Sequence, residues 1–326
     1  MSGERRILVT KESLERYQVA VYLAVVLLGG IAGLLWPATA ERLEFLVWPV
    51  LAILLYTTFC QVSFSDTVQA FRHRRFFTAS LLTNFALVPV IVWALSWLLP
   101  LDPAIRLGVF MVLLAPCTDW FVTFTHLGKG ATRLAVALVP VQLMAQFALL
   151  PVYLWGFLGQ DFIQAVTAGP FLQVFTWVIL VPFIMATLTR YWASHHSIGT
   201  GWLRATARLP VPLLSLVLFL IVASQVKAMG HISTSLGWAA LVFALYLILA
   251  ALLARLMTLI FRLETEAGRT LAFNAGTRNS FVVLPRALAL PVGWEAAVAV
   301  IVLQSLIELS GMIVYLWLVP RRIFPT

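Results

Sequence analysis

Asn274-Ala275-Gly276-Thr277-Arg278-Asn279-Ser280 is a polar run inside an apolar stretch, and Pro116-Cys117-Thr118-Asp119 is its counterpart in the first half of the chain. Both fall where the middle of a membrane span is expected. A guanidinium and a carboxylate are costly in hydrocarbon, so such residues mark a pathway or binding site. Pro116 lacks an N–H and clashes with the preceding turn, while Gly276 tolerates backbone angles that a helix does not use. The two stretches therefore read as interrupted helices, whose freed N–H and C=O groups survive at membrane depth only against protein, water or a ligand. Two kinked helices that merely pack would account for Pro116 and Gly276 but not for Asp119 and Arg278. Paired broken helices, one per half, present half-helix ends to a small polar solute and point to a secondary carrier.

Composition places the whole chain in a membrane. Of 326 residues, 62% are hydrophobic and only 11% charged, a balance foreign to soluble domains. The net charge of +9 sits in short clusters between apolar runs and not in a soluble recognition module, so nucleic acid is excluded as a partner and lipid is expected. Cys60 and Cys117 lie in apolar segments, which argues against a disulfide framework and against a zinc site. The N-terminal stretch, with Arg5, Arg6, Lys11 and Arg16 before the first long apolar run, lacks the compact pattern of a cleaved signal, and the first span is read as retained.

Apolar runs of about 20 residues, the length that crosses a bilayer, occur at 17–37, 44–64, 76–99, 105–127, 133–158, 170–189, 209–229, 236–260, 268–290 and 295–319. Lys and Arg gather on alternate sides of these ten spans. The N-terminal segment, the loops with Arg72, Arg74 and Arg75, with Lys129 and Arg133, with Arg190, Arg204 and Arg208, with Arg262 and Arg269, and the end with Arg321 and Arg322 fall together. The opposite loops hold only Arg42, Arg106, Lys227 and Arg286. The positive-inside rule then puts both termini in the cytoplasm of an inner (plasma) membrane protein.

Breaks in the fourth and ninth spans divide the ten into two sets of five. An odd set repeated in tandem inserts with opposite orientation. The domain reading is thus a cytoplasmic segment at 1–16, a first five-helix repeat at 17–158 and a second, inverted one at 170–319, with the broken helices crossing at the midplane. A faint echo supports it: Thr118-Asp119-Trp120-Phe121-Val122 against Thr277-Arg278-Asn279-Ser280-Phe281-Val282, with one gap and the charge reversed. This alignment predicts that Asp119 and Arg278 pair, either as a static ion pair or as one that opens when substrate or proton arrives.

The run Leu114-Ala115-Pro116-Cys117-Thr118, followed by Thr125-His126-Leu127-Gly128-Lys129-Gly130, resembles the fourth span of arsenite permeases of the bile acid/sodium symporter superfamily, and Asn279-Ser280 is similar to its second crossing helix. The resemblance covers essentially the whole chain. It implies a core domain of spans three to five and eight to ten, a panel domain of spans one, two, six and seven, and an elevator-like or rocking movement of one against the other. It also implies efflux of arsenite or antimonite; a bile-acid-like organic-anion symporter is the alternative.

The substrate-binding candidates are Cys117, Thr118, Asp119, Thr277, Arg278, Asn279 and Ser280. A thiolate is a soft ligand suited to As(III) or Sb(III), and the opposing reading of Cys117 is a small buried residue that only packs. Sodium-coupled relatives hold their cation with a carboxylate and an amide on the second crossing helix, and here Asn274 and Arg278 stand at those positions. A permanent guanidinium repels Na⁺ and can serve as a built-in cation, which favours coupling to protons. Asp119, Asn274, Arg278 and Glu308 are the coupling candidates. Asn84, Gln142, Gln146, Gln304 and Glu308 are polar residues in spans that either line the crossing or bond between helices; Gln304 and Glu308, four apart, share a helix face. Trp36, Trp97, Trp155 and Trp317 at span ends suit an aromatic belt. No catalytic motif, metal cluster or P-loop is found, so neither an enzyme nor a cofactor is expected. A sensor or scaffold without transport stays open, as does a homo-oligomer.

Overall fold

The computed structural model describes residues 11–61, 73–118, 120–159, 175–231 and 233–325. The described residues are predominantly helical and contain no strand. The helices are α1 (Lys11–Leu35), α2 (Pro37–Leu43), α3 (Val47–Phe59), α4 (Arg74–Leu82), α5 (Val88–Leu95), α6 (Pro103–Leu113), α7 (Trp120–Leu127), α8 (Thr132–Leu158), α9 (Val181–His195), α10 (Ser197–Thr206), α11 (Pro210–His231), α12 (Ser233–Phe261), α13 (Thr265–Gly276), α14 (Ser280–Leu288) and α15 (Glu295–Leu318). Among the described residues five helical stretches are long and apolar enough to cross a bilayer: Arg74–Leu98, Thr132–Leu158, Thr176–His195, Ser235–Phe261 and Glu295–Ile323. A sixth is formed if Ser197–Thr206 and Pro210–Ser224, bent by 41°, count as one. Ala24–Leu35, Val47–Phe59 and Pro103–Leu113 are shorter apolar helices. Leu, Ile, Val and Trp side chains stay exposed along these helices, Trp36, Trp97, Trp155 and Trp317 among them, as lipid-facing surfaces require.

The chain divides into two compact units, Met1–Gln61 with Leu180–Ser224, and Val62–Ile179 with Gln225–Thr326. In the first, α3 packs on α9 through Phe59 against Phe183. Tyr56 shares a hydrogen bond with Thr189 at 2.9 Å, and Arg190 donates to the Cys60 carbonyl at 2.7 Å. Cys60 is buried and its role there is packing and capping. The stretch between the sixth and seventh expected spans, read from the sequence as a loop, forms α10; its few apolar residues are too scattered to signal a span.

The second unit holds both interrupted helices. In its first long helix, α4 passes into a π-turn at Thr83–Leu87 before α5. The cause is Pro89, which has no N–H to give the Phe85 carbonyl one turn earlier; the Tyr153 hydroxyl from α8 takes that carbonyl instead. Gly159, at φ +56°, ends α8 in the left-handed conformation that favours glycine. Asp102 caps α6 by accepting from the N–H groups of Ala104 and Ile105 at 2.9 and 3.3 Å.

Candidate functional site

The helix formed by α6 and α7 is interrupted over the described residues 114–118, and that of α13 and α14 over residues 277–279. The two gaps lie against each other. Pro116 and Arg278 form an isolated antiparallel bridge, with the Asn279 N–H donating to the Ala115 carbonyl at 2.7 Å and the Cys117 N–H to the Thr277 carbonyl at 3.3 Å. Backbone groups freed by each break are thus satisfied by the other, the condition for irregular backbone inside a membrane protein. The bridge sets Pro116 opposite Arg278. Asp119 lies outside the described residues, and so does the pairing expected of it with Arg278.

Arg278 shows why the second helix stops. In a continuing helix its N–H would serve the Asn274 carbonyl, and that of Asn279 would serve Ala275. Instead the Arg278 N–H donates to Glu308 Oε2 at 2.7 Å, and the Asn279 N–H crosses to Ala115. The two abandoned carbonyls are recovered by side chains: the Arg278 guanidinium bonds Asn274 O at 3.2 Å and also Ala275 O, and the Tyr246 hydroxyl reaches Ala275 O at 2.8 Å. The guanidinium also donates to Asn84 Oδ1 at 2.8 Å and to the Leu113 carbonyl, the last residue of α6, at 3.3 Å. The ring of Tyr246 lies 5.2 Å from the guanidinium carbon, within cation–π range. A fully buried cation therefore sits on the C-terminal carbonyls of both first half-helices, at the negative ends of their dipoles.

Gly276 departs from the sequence reading. It ends α13 in a helical conformation and is not among the glycines with positive φ. Its glycine is required by packing, since a Cβ there would lie 2.7 Å from Tyr315 Cε1 and 3.1 Å from Met312 Cε.

Around this core the remaining polar candidates form a connected network. Asn274 accepts from Asn84 Nδ2 at 2.6 Å and exchanges two hydrogen bonds with Gln142, at 3.2 and 2.8 Å. Asn279 Nδ2 donates to Thr118 Oγ1 at 3.0 Å while its Oδ1 caps α14 through the Val282 N–H at 3.2 Å. Ser280 donates to Gln304 Oε1 at 2.7 Å, and Gln304 Nε2 donates to Glu308 Oε2 at 2.6 Å. Thr277 bonds back to the Phe273 carbonyl at 2.8 Å. Cys117 is fully buried in the gap beside Thr118 and belongs to no disulfide. Gln146 is buried one turn beyond Gln142, and neither of its amide atoms has a hydrogen-bond partner among the described residues. The structure thus gathers Cys117, Thr118, Asn274, Thr277, Arg278, Asn279, Ser280 and Glu308 at one crossing.

Two participants went unrecognised in the sequence, and so did the burial of a third residue outside the crossing. Tyr246 and Tyr315 look like ordinary aromatic residues of apolar helices. Arg269, read only as a topological charge, is buried and donates to the Phe324 carbonyl at 3.1 and 2.8 Å and to the Lys129 carbonyl at 3.1 Å. Among the described residues no group of three or more His, Cys, Asp or Glu side chains is placed to hold a metal ion.

Comparison with known proteins gives this architecture a family. The chain is 25% identical over 130 residues to the arsenical-resistance protein Acr3 of Corynebacterium glutamicum, a stretch covering 40% of this chain and 35% of that relative. The family model for the sodium bile acid symporter family matches residues 48–261, which takes in the first break and stops before the second. With well over half of its length matched, and with at least five helical stretches among the described residues long and apolar enough to cross a bilayer, the chain is a multi-pass membrane protein that belongs to the sodium bile acid symporter family.

Proposed function

We propose that the protein exports arsenite or antimonite from the cytoplasm in exchange for protons. The observation that carries the reading is Cys117, a thiol fully buried where two interrupted helices meet, with the Thr118 hydroxyl beside it. As(III) and Sb(III) are soft centres that prefer sulfur, and their hydroxides offer O–H groups as well. One thiolate with hydroxyl and amide neighbours holds such a solute reversibly, whereas three thiolates would bind too tightly for a carrier that must release it. The name of the relative from Corynebacterium, an arsenical-resistance protein, supports the same substrate class.

The architecture proposed is ten spans in two inverted five-helix repeats, with both termini in the cytoplasm of the plasma membrane. The unit Val62–Ile179 with Gln225–Thr326 acts as the core that carries the crossing. Met1–Gln61 with Leu180–Ser224 acts as the panel against which it moves. In this reading Arg278 is a resident cation. Its guanidinium already engages carbonyl oxygens of both first half-helices, oxygens that a hard alkali ion would need, so sodium coupling is replaced by proton coupling. The same engagement weighs against the organic-anion alternative, in which the guanidinium would have to face a substrate carboxylate.

Expression in an arsenite-sensitive bacterium tests the proposal. The wild type raises the tolerated arsenite concentration, and Cys117→Ala returns it to the vector level while the protein remains in the membrane at wild-type amount. Resistance unchanged in that variant removes the thiol from the mechanism. A wild type that confers none, but moves a carboxylate solute in vesicles, establishes the organic-anion reading.

A further inference from the structure

Acidic side chains are rare in this molecule, and among the described residues only Glu308 is buried. Asp102, Glu264, Glu266 and Glu295 stand at or next to helix starts, exposed or half-exposed. A carboxyl group in the middle of α15 is costly in an apolar span and calls for a function. Its Oε2 accepts the Arg278 N–H at 2.7 Å and the Gln304 amide at 2.6 Å, and Gln304 in turn accepts from Ser280 at the start of α14. Arg278 is the central residue of the second break. Both of its chain neighbours are bonded to the first break, Asn279 to Ala115 and Thr277 to Cys117. One carboxylate thus fastens to α15 the short segment that positions the Cys117 main chain.

The charged and titratable groups around Glu308 are few. From the break comes Arg278, from α12 Tyr246, and from α15 itself Tyr315. Of the other helices packed on α15, α6 carries Arg106 near its start, bonded to the Pro100 carbonyl, and α7 carries His126 at its exposed end. In α13, Glu266 and Arg269 lie in the first turns, with Arg269 engaged by Phe324 and Lys129. Arg286 of α14 lies over the Phe147 ring. Asp119, outside the described residues, precedes α7.

We propose that Glu308 is the proton-binding positioning residue of the crossing. Ionised, it balances the charge of Arg278 and accepts two charge-assisted hydrogen bonds, roughly twice as strong as neutral ones. A proton entering from water on one face binds a Glu308 carboxyl oxygen, and the carboxyl becomes neutral. The bond from the Arg278 N–H weakens, the guanidinium loses its compensating charge, and the Thr277–Asn279 segment loosens from α15, shifting Cys117 with it. The proton leaves to water on the other face, and no bond of the solute is broken. The link to transport rests on the function proposed above; the protonation itself does not.

The test uses the purified full chain in lipid nanodiscs, followed by infrared difference spectroscopy across an acid titration. A carboxyl band appears on acidification in the wild type, is lost in Glu308→Gln, persists in Asp119→Asn and moves to a different midpoint in Glu308→Asp. In a Cys60→Ala background at one fixed pH, the rate of Cys117 alkylation changes several-fold when Glu308→Gln is added. A band that survives Glu308→Gln, or disappears in Asp119→Asn instead, overturns the proposal, as does unchanged alkylation. Should Glu308→Gln not fold, an unmoved midpoint in Glu308→Asp overturns it equally. If the wild type moves no arsenite, the function falls while the infrared result still decides the role of Glu308.

Discussion

The two breaks look alike from a distance and are built by opposite means. The first, over residues 114–118, is written into the covalent chain: Pro116 has no N–H, and the helix cannot pass through it unchanged. The second, over residues 277–279, contains no proline and is made by side chains. Glu308 draws off one N–H, while Arg278 and Tyr246 replace the lost helical donors. Arg278 also satisfies Leu113 at the end of α6, so the side-chain break supports the proline break as well. In the proposed function, one gap offers chemistry to a solute through the thiol of Cys117 and the hydroxyl of Thr118. The other supplies the electrostatic frame that keeps both gaps open.

The largest effect is therefore expected at Arg278. Arg278→Ala strips donors from the Leu113, Asn274 and Ala275 carbonyls and from Asn84, and leaves Glu308 without its counter-charge. Breaking a buried charged network of this kind costs on the order of 3–5 kcal/mol. Thermal denaturation of detergent-solubilised protein should show a marked loss, or no folded protein. A variant as stable as the wild type would mean that the second break, like the first, is dictated by the backbone alone.

Gly276→Ala is expected to do less. Its Cβ would meet Tyr315 and Met312 at 2.7 and 3.1 Å, an overpacking that costs roughly 1–3 kcal/mol. Combining it with Tyr315→Leu should recover part of that loss in the same assay. No recovery would locate the requirement for glycine in backbone conformation rather than in space.

The smallest effect, no change at all, is expected when Na⁺ is exchanged for K⁺ or choline at fixed pH during arsenite transport in vesicles. Dissipating the proton gradient should abolish accumulation in the same preparation. Saturable stimulation by Na⁺ would show that a cation binds despite the resident guanidinium, and the contrast between the two breaks would lose its functional meaning.

The location of the crossing was legible in the sequence because hydrocarbon makes polar residues conspicuous. Asn84, Gln142, Gln304 and Glu308 stand out in apolar runs, and the structure joins all of them to the breaks. The main-chain partners of Arg278 were not legible, while its expected pairing with Asp119 lies outside the described residues. A sequence suggests a carboxylate for a buried cation, hence Asp119, whereas three of the acceptors seen are main-chain carbonyls that become available only because two helices are broken. Side-chain letters carry no record of such groups. Gly276 was misread for a related reason: glycine signals either backbone freedom or lack of space, and only the neighbouring Tyr315 decides between them. The helix α10 escaped notice because its apolar residues cover too little of its surface to resemble a span.

If Glu308 binds and releases a proton as proposed, its place beside the permanent charge of Arg278 in one compact unit has a consequence for voltage. A membrane potential does work only on net charge that crosses it, about 2.3 kcal/mol per elementary charge for 100 mV. With Glu308 ionised the pair is electrically silent, and the potential neither helps nor hinders its passage. With Glu308 protonated the same pair bears one positive charge and is drawn toward the negative side. The electrical part of a proton gradient would then act on one protonation state of the carrier and leave the other to diffuse freely between its two faces.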